Sequence, residues 1–190
     1  MIERESKSWT WVNERPCAEC GFDASTTDPV DVPTILRQAA GDWSVLLSGS
    51  GTGAARLLRR PDANTWSPVE YACHVRDVLA LLDHRIDRVL REDGPTFEDW
   101  HPNDRADAGE YHLEHDPAPV LAALAANVER VSERMDGLTI AQWQRRGTRA
   151  DGLGFTLAFI STYLTHDVVH HVHDVRVMLG DSTGDPSSHG

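Results

Sequence analysis

Residues 67–92 read SPVEYACHVRDVLALLDHRIDRVLRE, and this stretch decides the class of fold. Ser67 suits a helix N-cap, Pro68 suits the first helical position, and Glu70 completes a capping box three residues after the serine. The pattern predicts a long amphipathic helix that runs to about Glu92. Its apolar stripe, at helical spacing, consists of Val75, Val78, Leu79, Leu82, Ile86 and Val89.

Three more stretches have the same periodicity. We predict a helix over 33–47 with Asp31 as its N-cap, a third helix over 117–135, and a last helix over 155–179 that Gly180 ends. No stretch alternates clearly between polar and apolar residues, so we predict no β-strand. Four long amphipathic helices without strands predict an all-α helical bundle.

The segments outside these helices differ in character. Residues 1–30 are irregular, and we interpret them as an N-terminal extension that covers part of a bundle formed by residues 31–180. Residues 93–116 are acidic and rich in turn formers, which is long for a loop and predicts a functional flap. Residues 181–190 are predicted to be a disordered tail.

Composition excludes several classes of function. The chain has 30 acidic and 18 basic residues and a net charge of −12, which disfavours binding to nucleic acid or to an anionic membrane. No apolar run reaches the roughly 20 residues that span a bilayer. The N-terminus has no apolar secretory region, and three cysteines are too few for a disulfide framework. We therefore expect a cytoplasmic protein.

The histidines carry the chemistry. His166 and His170 stand four residues apart in the last predicted helix, which places both rings on one face where they can meet a single ion. The best third ligand is His74, on the second predicted helix, because bundle metal sites use inward side chains from facing helices. Three imidazoles leave one position open for water or substrate. Zinc is the expected ion and nickel the alternative, while ordinary helix histidines or a pH-sensitive cluster are the competing interpretations.

Several neighbours could support such a site. The carboxylates of Glu70, Asp77, Asp167 and Asp174 stand close enough in sequence to accept hydrogen bonds from ring N–H groups.

Three further side chains near the pair have weaker assignments. His173 or His171 could accept a proton or orient a ligand. Tyr163, three residues before His166, could help to bind substrate, although packing is the simpler role.

Two patches together resemble the DinB-like superfamily of four-helix metalloproteins. One is W-S-x-x-E-x-x-x-H-x-x-D, from Trp66 to Asp77, and the other is H-x3-H at His166 and His170. The resemblance covers roughly residues 32–180. It implies a bundle of the up-down-down-up type with His74, His166 and His170 as metal ligands.

Members of that family with assigned activities look like thiol S-transferases that use mycothiol, bacillithiol or glutathione. The resemblance therefore implies a divalent metal, a low-molecular-weight thiol and a small electrophile. The related maleylpyruvate isomerases use a Glu where His166 stands, so isomerase activity is not expected. A non-catalytic metal-binding or stress-response protein and a metal-dependent hydrolase remain alternatives. Small bundles often dimerise, so a homodimer is a further open expectation.

The N-terminal stretch RPCAECGF contains Cys17 and Cys20 and resembles one knuckle of a zinc ribbon. A complete structural site needs four ligands, and no second CxxC exists. Three interpretations stay open: reduced structural thiols, a second metal site completed by Cys73 and a spare histidine, or a redox pair. Cys73, about 100° around the helix from His74, is predicted to be a packed thiol.

Overall fold

The computed structural model describes residues 9–48, 53–98, 100 and 104–180. The predicted tail, residues 181–190, and the first eight residues of the extension lie outside that range. Four long helices form the bundle: α1 Val32–Leu47, α3 Pro68–Arg91, α5 Pro117–Met135 and α7 Leu157–Leu179. The short helices are α2 Ala54–Leu57, α4 Asp104–Asp107 and α6 Ile140–Trp143, and 3₁₀ turns occur at Trp9–Asn13, Pro29–Asp31 and Tyr111–Leu113.

The four long helices pack around one core. The first two in sequence, α1 and α3, lie across the diagonal of the bundle, and each packs against both α5 and α7. The apolar stripe predicted on α3 faces this core, where each of its six residues is at most 1% exposed. Truncating a buried leucine such as Leu79 to alanine would cost about 2–5 kcal/mol of folding free energy. The predicted four-helix bundle is confirmed. None of the helices in the described ranges is long and apolar enough to cross a membrane.

The helix ends follow the predicted caps in most places. The capping box of α3 is present: the Glu70 amide donates to the Ser67 hydroxyl at 3.3 Å, and the Ser67 amide donates to the Glu70 carboxylate at 2.8 Å. Gly180, at φ +70°, ends α7 as predicted.

The predicted N-cap of α1 is wrong. The Asp31 side chain makes no capping hydrogen bond, and the Asp28 carboxylate instead accepts one from the Val30 amide. Asp28 thus caps a 3₁₀ turn that continues directly into α1, so Asp31 already has helical backbone angles.

The prediction of no strands is also wrong, although the sheet is small. Its strands are β1 Thr96–Phe97, β2 Arg146–Arg149 and β3 Gly154–Thr156, with β1 parallel to β2 and β2 antiparallel to β3. Strands of two to four residues are too short to show a period of two in sequence. Phe97 and Phe155 stack across the sheet with ring centroids 5.6 Å apart. Gly147 permits this packing, because a Cβ there would lie 2.3 Å from the Phe97 ring.

The N-terminal extension packs against α7 and thereby positions the cysteine pair. Val12 and Cys17 are buried, and the Thr162 hydroxyl donates to the Asn13 side-chain oxygen at 3.0 Å. Helix α7 is therefore contacted by α1, by α3 and by the extension. The segment predicted as a flap contains β1, α4 and a 3₁₀ turn whose Tyr111 is buried; its function as a flap stays a prediction.

Candidate metal centres

Two groups of potential metal ligands lie side by side on α7. The cysteine–histidine group consists of Cys17, Cys20, His166 and His170, and the interhelical group consists of His74, Asp167 and His171. Within each group, one ligand atom from every residue lies within 4.8 Å of the others. The groups are neighbours, because the ring centroids of His170 and His171 are 5.9 Å apart.

The ligand set predicted from the sequence is divided between these groups. His166 and His170 face the two cysteines, whereas His74 meets Asp167 and His171. Each residue turns an α-helix by about 100°, so the rows 166/170 and 167/171 point in different directions from the same helix. The interhelical group therefore uses the row 167/171 and not the predicted row 166/170.

The interhelical group joins α3 to α7. His74 is only 3% exposed, and its Nε2 lies 3.2 Å from Oδ2 of Asp167. Nε2 of His171 lies 3.7 Å from the other carboxylate oxygen of Asp167. Behind it, Nδ1 of His171 contacts the Asp174 carboxylate at 2.8 Å. That contact orients the His171 ring, so that its Nε2 faces Asp167.

The carboxylates of this region are ionised. Burial opposes ionisation of Asp167, but the charges of the surrounding imidazoles and the hydrogen bond to His74 together hold its pKa well below the ordinary value. For Asp174, burial likewise acts to raise the pKa, but the hydrogen bond from His171 and the charges of the neighbouring imidazoles together lower it. Two carboxylate charges beside two imidazoles form a place that favours a cation.

Aromatic rings surround the interhelical group. The Trp66 ring centroid lies 5.1 Å from that of His74, and the Trp100 centroid lies 6.1 Å from it. On the other side, the Tyr71 ring lies 5.0 Å from His171. These apolar faces reduce the access of water and so strengthen electrostatic interactions inside the group.

The cysteine–histidine group is formed where the extension meets α7. Cys17 is 3% exposed and its Sγ lies 3.6 Å from Nδ1 of His170, while the rings of His166 and His170 have centroids 5.1 Å apart. Burial lowers the pKa of His166 to about 4, and the neighbouring His170 acts in the same direction. Burial raises the pKa of the Cys20 thiol to about 12.

Cys73 belongs to neither group among the described residues. It is fully buried in the core of the bundle, where burial raises its thiol pKa to about 12. Cys73 is thus the packed thiol that the sequence predicts. The cysteine pair is brought to His166 and His170 instead.

Two carboxylates expected behind the histidines are held by other partners. Glu70 is contacted by the Arg60 guanidinium at 2.5 Å and by the Ser67 amide. Burial acts to raise the pKa of Glu70, but the hydrogen bonds from Arg60 and Ser67 and the charge of Arg60 together lower it.

Asp77 accepts hydrogen bonds from the Tyr111 hydroxyl at 2.8 Å and from Arg105 at 2.7 Å. It also accepts one from Arg76 at 2.9 Å. Asp77 therefore links α3 to the segment between β1 and α5.

The remaining predicted residues flank the groups. His173 is half-buried, with its ring centroid 6.4 Å from that of His170. Tyr163 stacks on Phe159 and packs against the core. The sequence predicts Asp167 as a supporting acceptor, and His171 as a group that accepts a proton or orients a ligand, but neither as a metal ligand. The repeated spacing, D-x3-H beside H-x3-H, is the pattern that could have placed both among the ligands.

Comparison with known proteins identifies related sequences and folds. The sequence profile of the DinB superfamily matches residues 36–175, which is more than half of the chain. That range contains the whole interhelical group and begins after Cys17 and Cys20. The solved structure of YfiT from Bacillus subtilis, described as a probable metal-dependent hydrolase with an unusual four-helix bundle topology, is similar with a TM-score of 0.68. The likeness covers 80% of this chain and 87% of that chain at 17% identity, so it concerns the fold. None of the curated proteins matches this sequence.

Proposed function

This chain belongs to the DinB superfamily, and from that premise we propose that it is a metal-dependent thiol S-transferase whose centre is the interhelical group. The observation that carries the proposal is the convergence of His74, Asp167 and His171 from two facing helices. Its substrates would be a low-molecular-weight thiol of the mycothiol type and a small electrophile.

The donor set fits a divalent ion. Two imidazoles and one carboxylate form a set that catalytic zinc sites use, with a fourth position left for water or substrate. Zinc is the expected ion; nickel and iron accept the same donors. When bound, such an ion supplies Lewis acidity, which lowers the pKa of a thiol or water beside it.

The side chains of the chain define what can happen at this centre. Asp174 orients His171, and the negative charge of Asp167 offsets part of the charge of the ion. Trp66, Tyr71 and Trp100 provide apolar surface against which the carbon skeleton of a small electrophile can pack. The site can thus bind an electrophile close to an activated thiol and keep competing water away.

The test combines metal analysis with turnover. The metal-loaded protein is mixed with monochlorobimane and one thiol, which is mycothiol, bacillithiol or glutathione in separate reactions. Conjugate formation is followed by fluorescence. We expect turnover that requires both metal and thiol and that is lost in His74→Ala. His84→Ala is the matched control, because His84 lies on the same helix but is exposed. Metal binding without any thiol-dependent turnover would contradict the transferase proposal and support a non-catalytic metal-binding role.

A hydrolase is the second candidate. It is favoured by the similarity to YfiT, which is described as a probable metal-dependent hydrolase. An ion at the same centre would then activate water rather than a thiol. Metal-dependent turnover of ester or amide substrates without added thiol would select this candidate.

Isomerase chemistry also becomes a reaction to test. The maleylpyruvate isomerases use a Glu where His166 stands in this chain, and the interhelical group contains a carboxylate of its own, that of Asp167. A thiol-dependent isomerisation of maleylpyruvate, lost in His74→Ala, would assign the chain to that branch of the family.

The alternative ligand set remains open to experiment. If the three histidines predicted from the sequence held one ion, His166→Ala would abolish turnover and His171→Ala would leave the metal bound. The interhelical assignment requires that His171→Ala removes the metal that supports turnover.

A further inference from the structure

The cysteine–histidine group brings four side chains together from the two ends of the described chain. Cys17 and Cys20 come from the N-terminal extension, and His166 and His170 come from α7. Cys17, His166 and His170 are each at most 7% exposed, and Cys20 is half-buried. Two thiols and two imidazoles within 4.8 Å of one another, largely shielded from water, form the donor set of a tetrahedral structural zinc site.

The backbone around the cysteines has the shape that such a site needs. The Cys17 amide donates to the Phe22 carbonyl at 2.9 Å, and the Gly21 amide donates to the Cys17 carbonyl at 2.9 Å. Gly21 has φ +74°, a left-handed conformation that side chains rarely adopt. This tight turn places the Sγ atoms of Cys17 and Cys20 close enough together to bind the same ion.

The orientation of His170 is the strongest single observation. Its Nδ1 faces Sγ of Cys17 at 3.6 Å, while its Nε2 faces the Glu19 carboxylate at 3.4 Å and the Asp174 carboxylate at 3.7 Å. A ring with one nitrogen toward the ligand cluster and the other toward a carboxylate is the arrangement of metal-bound histidines. The carboxylates of Glu19 and Asp174 therefore support His170 rather than form a third site.

The distance to Cys17 also fits an ion. Zinc bonds of about 2.3 Å to sulfur and about 2.0–2.1 Å to nitrogen, at a tetrahedral angle, place the two ligand atoms about 3.6 Å apart. The observed separation is 3.6 Å. A thiol–imidazole hydrogen bond could explain this pair alone, but a metal also explains the convergence of Cys20 and His166.

We propose that Cys17, Cys20, His166 and His170 bind a zinc ion that fastens the N-terminal extension to α7. Two thiolates and two neutral imidazoles would balance the charge of the ion and complete a tetrahedron, which leaves no position for substrate. The site is therefore structural. It is separate from the proposed catalytic centre, although the two share the side of α7 on which Asp174 lies.

The contacts around the group agree with a fastening role. The rings of Trp11 and Phe22, both from the extension, lie 6.4 Å and 6.1 Å from the His166 ring. The extension also contacts α7 through the buried Val12 and through the hydrogen bond between Thr162 and Asn13. A zinc ion at the cysteines would join the two elements far more firmly than these contacts do.

Cobalt substitution tests the proposal without relying on activity. The reduced, metal-free protein is titrated with Co²⁺ and its absorption spectrum is recorded. We expect a thiolate-to-cobalt charge-transfer band and intense visible bands of tetrahedral cobalt, both displaced by zinc. The reactivity of Cys17 and Cys20 toward a thiol reagent should fall by at least tenfold when zinc is bound. Absence of the charge-transfer band, together with unchanged thiol reactivity, would overturn the proposal.

Variants separate this site from the proposed catalytic one. Cys17→Ser and His166→Ala should each lose the charge-transfer band and one equivalent of metal, whereas Cys73→Ala and His173→Ala should keep both. His74→Ala should lose the other equivalent and keep the band. Loss of the band in His74→Ala but not in Cys17→Ser would overturn the assignment. A disulfide between Cys17 and Cys20 whose reduction leaves no metal affinity would replace it with a redox role.

Discussion

The two ligand groups use neighbouring rows of the same helix, but different parts of the chain complete them. The interhelical group needs α3 and α7, and its three potential ligands all lie within the region matched by the superfamily profile. The cysteine–histidine group has four, and two of them come from the extension that precedes the match. Three ligands leave a metal open to chemistry, whereas four close it. The two rows on α7 are offset by one residue, and this offset separates a candidate catalytic centre from a candidate structural metal site.

We expect the largest effect from a substitution in the interhelical group, because the proposed reaction takes place there. His171→Ala removes one of the three interhelical ligands, and we expect turnover to fall by more than about 100-fold because even partners of metal ligands are worth about 10–100-fold. Steady-state kinetics of the metal-loaded protein measure the effect. His173→Ala, two residues away on the same helix, is the control, and a comparable loss there would show that the helix rather than the ligand is responsible.

Replacing Cys20 tests the proposed structural ion of the cysteine–histidine group. Cys20→Ser should lower the Tm of the zinc-loaded protein by about 5–10 °C, because a ligand that binds the folded state at 100 times its Kd contributes about 2.7 kcal/mol. Turnover per bound catalytic ion should change far less than in His171→Ala. Thermal unfolding by circular dichroism, with and without zinc, measures the shift. An equal Tm for variant and parent in zinc would speak against a structural ion.

Asp174 contacts one residue of each group and therefore tests whether the two groups are independent. Its carboxylate contacts His171 at 2.8 Å and His170 at 3.7 Å, so it stands behind a ligand of each group. We expect Asp174→Asn to weaken both metals by about 10-fold, at the low end of the range for such partners. Competition with a chromophoric chelator resolves the two affinities. If only one affinity changes, the groups are independent of each other.

The smallest effect concerns the metal-free protein. Burial lowers the pKa of His166 to about 4 from its ordinary value of 6.5, so the unfolded chain takes up a proton first as the pH falls. The contribution of neutral His166 to the free energy of unfolding is fully present above pH 6.5 and is lost as the pH falls toward 4. At pH 5.5 the loss is about 1 kcal/mol, or about 2–4 °C in Tm. His166→Gln should flatten the dependence of Tm on pH between about 4 and 6.5. An unchanged slope would show that other groups cause this pH dependence.

Much of the bundle could be predicted from local sequence. The Ser67 and Glu70 capping box and the glycine at position 180 mark helix ends by chemistry that involves only a few adjacent residues. Phe155 was assigned to the last helix by its apolar character, but it lies in β3 because it stacks on Phe97, 58 positions earlier in the printed sequence. Contacts of that kind leave no local pattern.

The candidate centres show the same limit. The H-x3-H spacing directed attention to α7, where both groups of potential ligands lie, but buried residues occur around most of this helix since α1, α3 and the extension all contact it. Its weak amphipathic pattern could not tell which row faces α3. Similarly, nothing near Cys17 in sequence points to its partner His170, which lies 153 residues away.

That separation has a consequence for biosynthesis. At about 5–20 residues per second, the ribosome makes Cys17 about 8–30 s before it makes His170. For most of that interval the nascent chain lacks the two imidazoles of the proposed site, so its thiols are accessible to oxidants and to other metals. The contact between Cys17 and His170 closes only after α7 has been released. The contact therefore forms only after the last long helix has been synthesised, and a truncated product that lacks α7 would leave both thiols without these two partners.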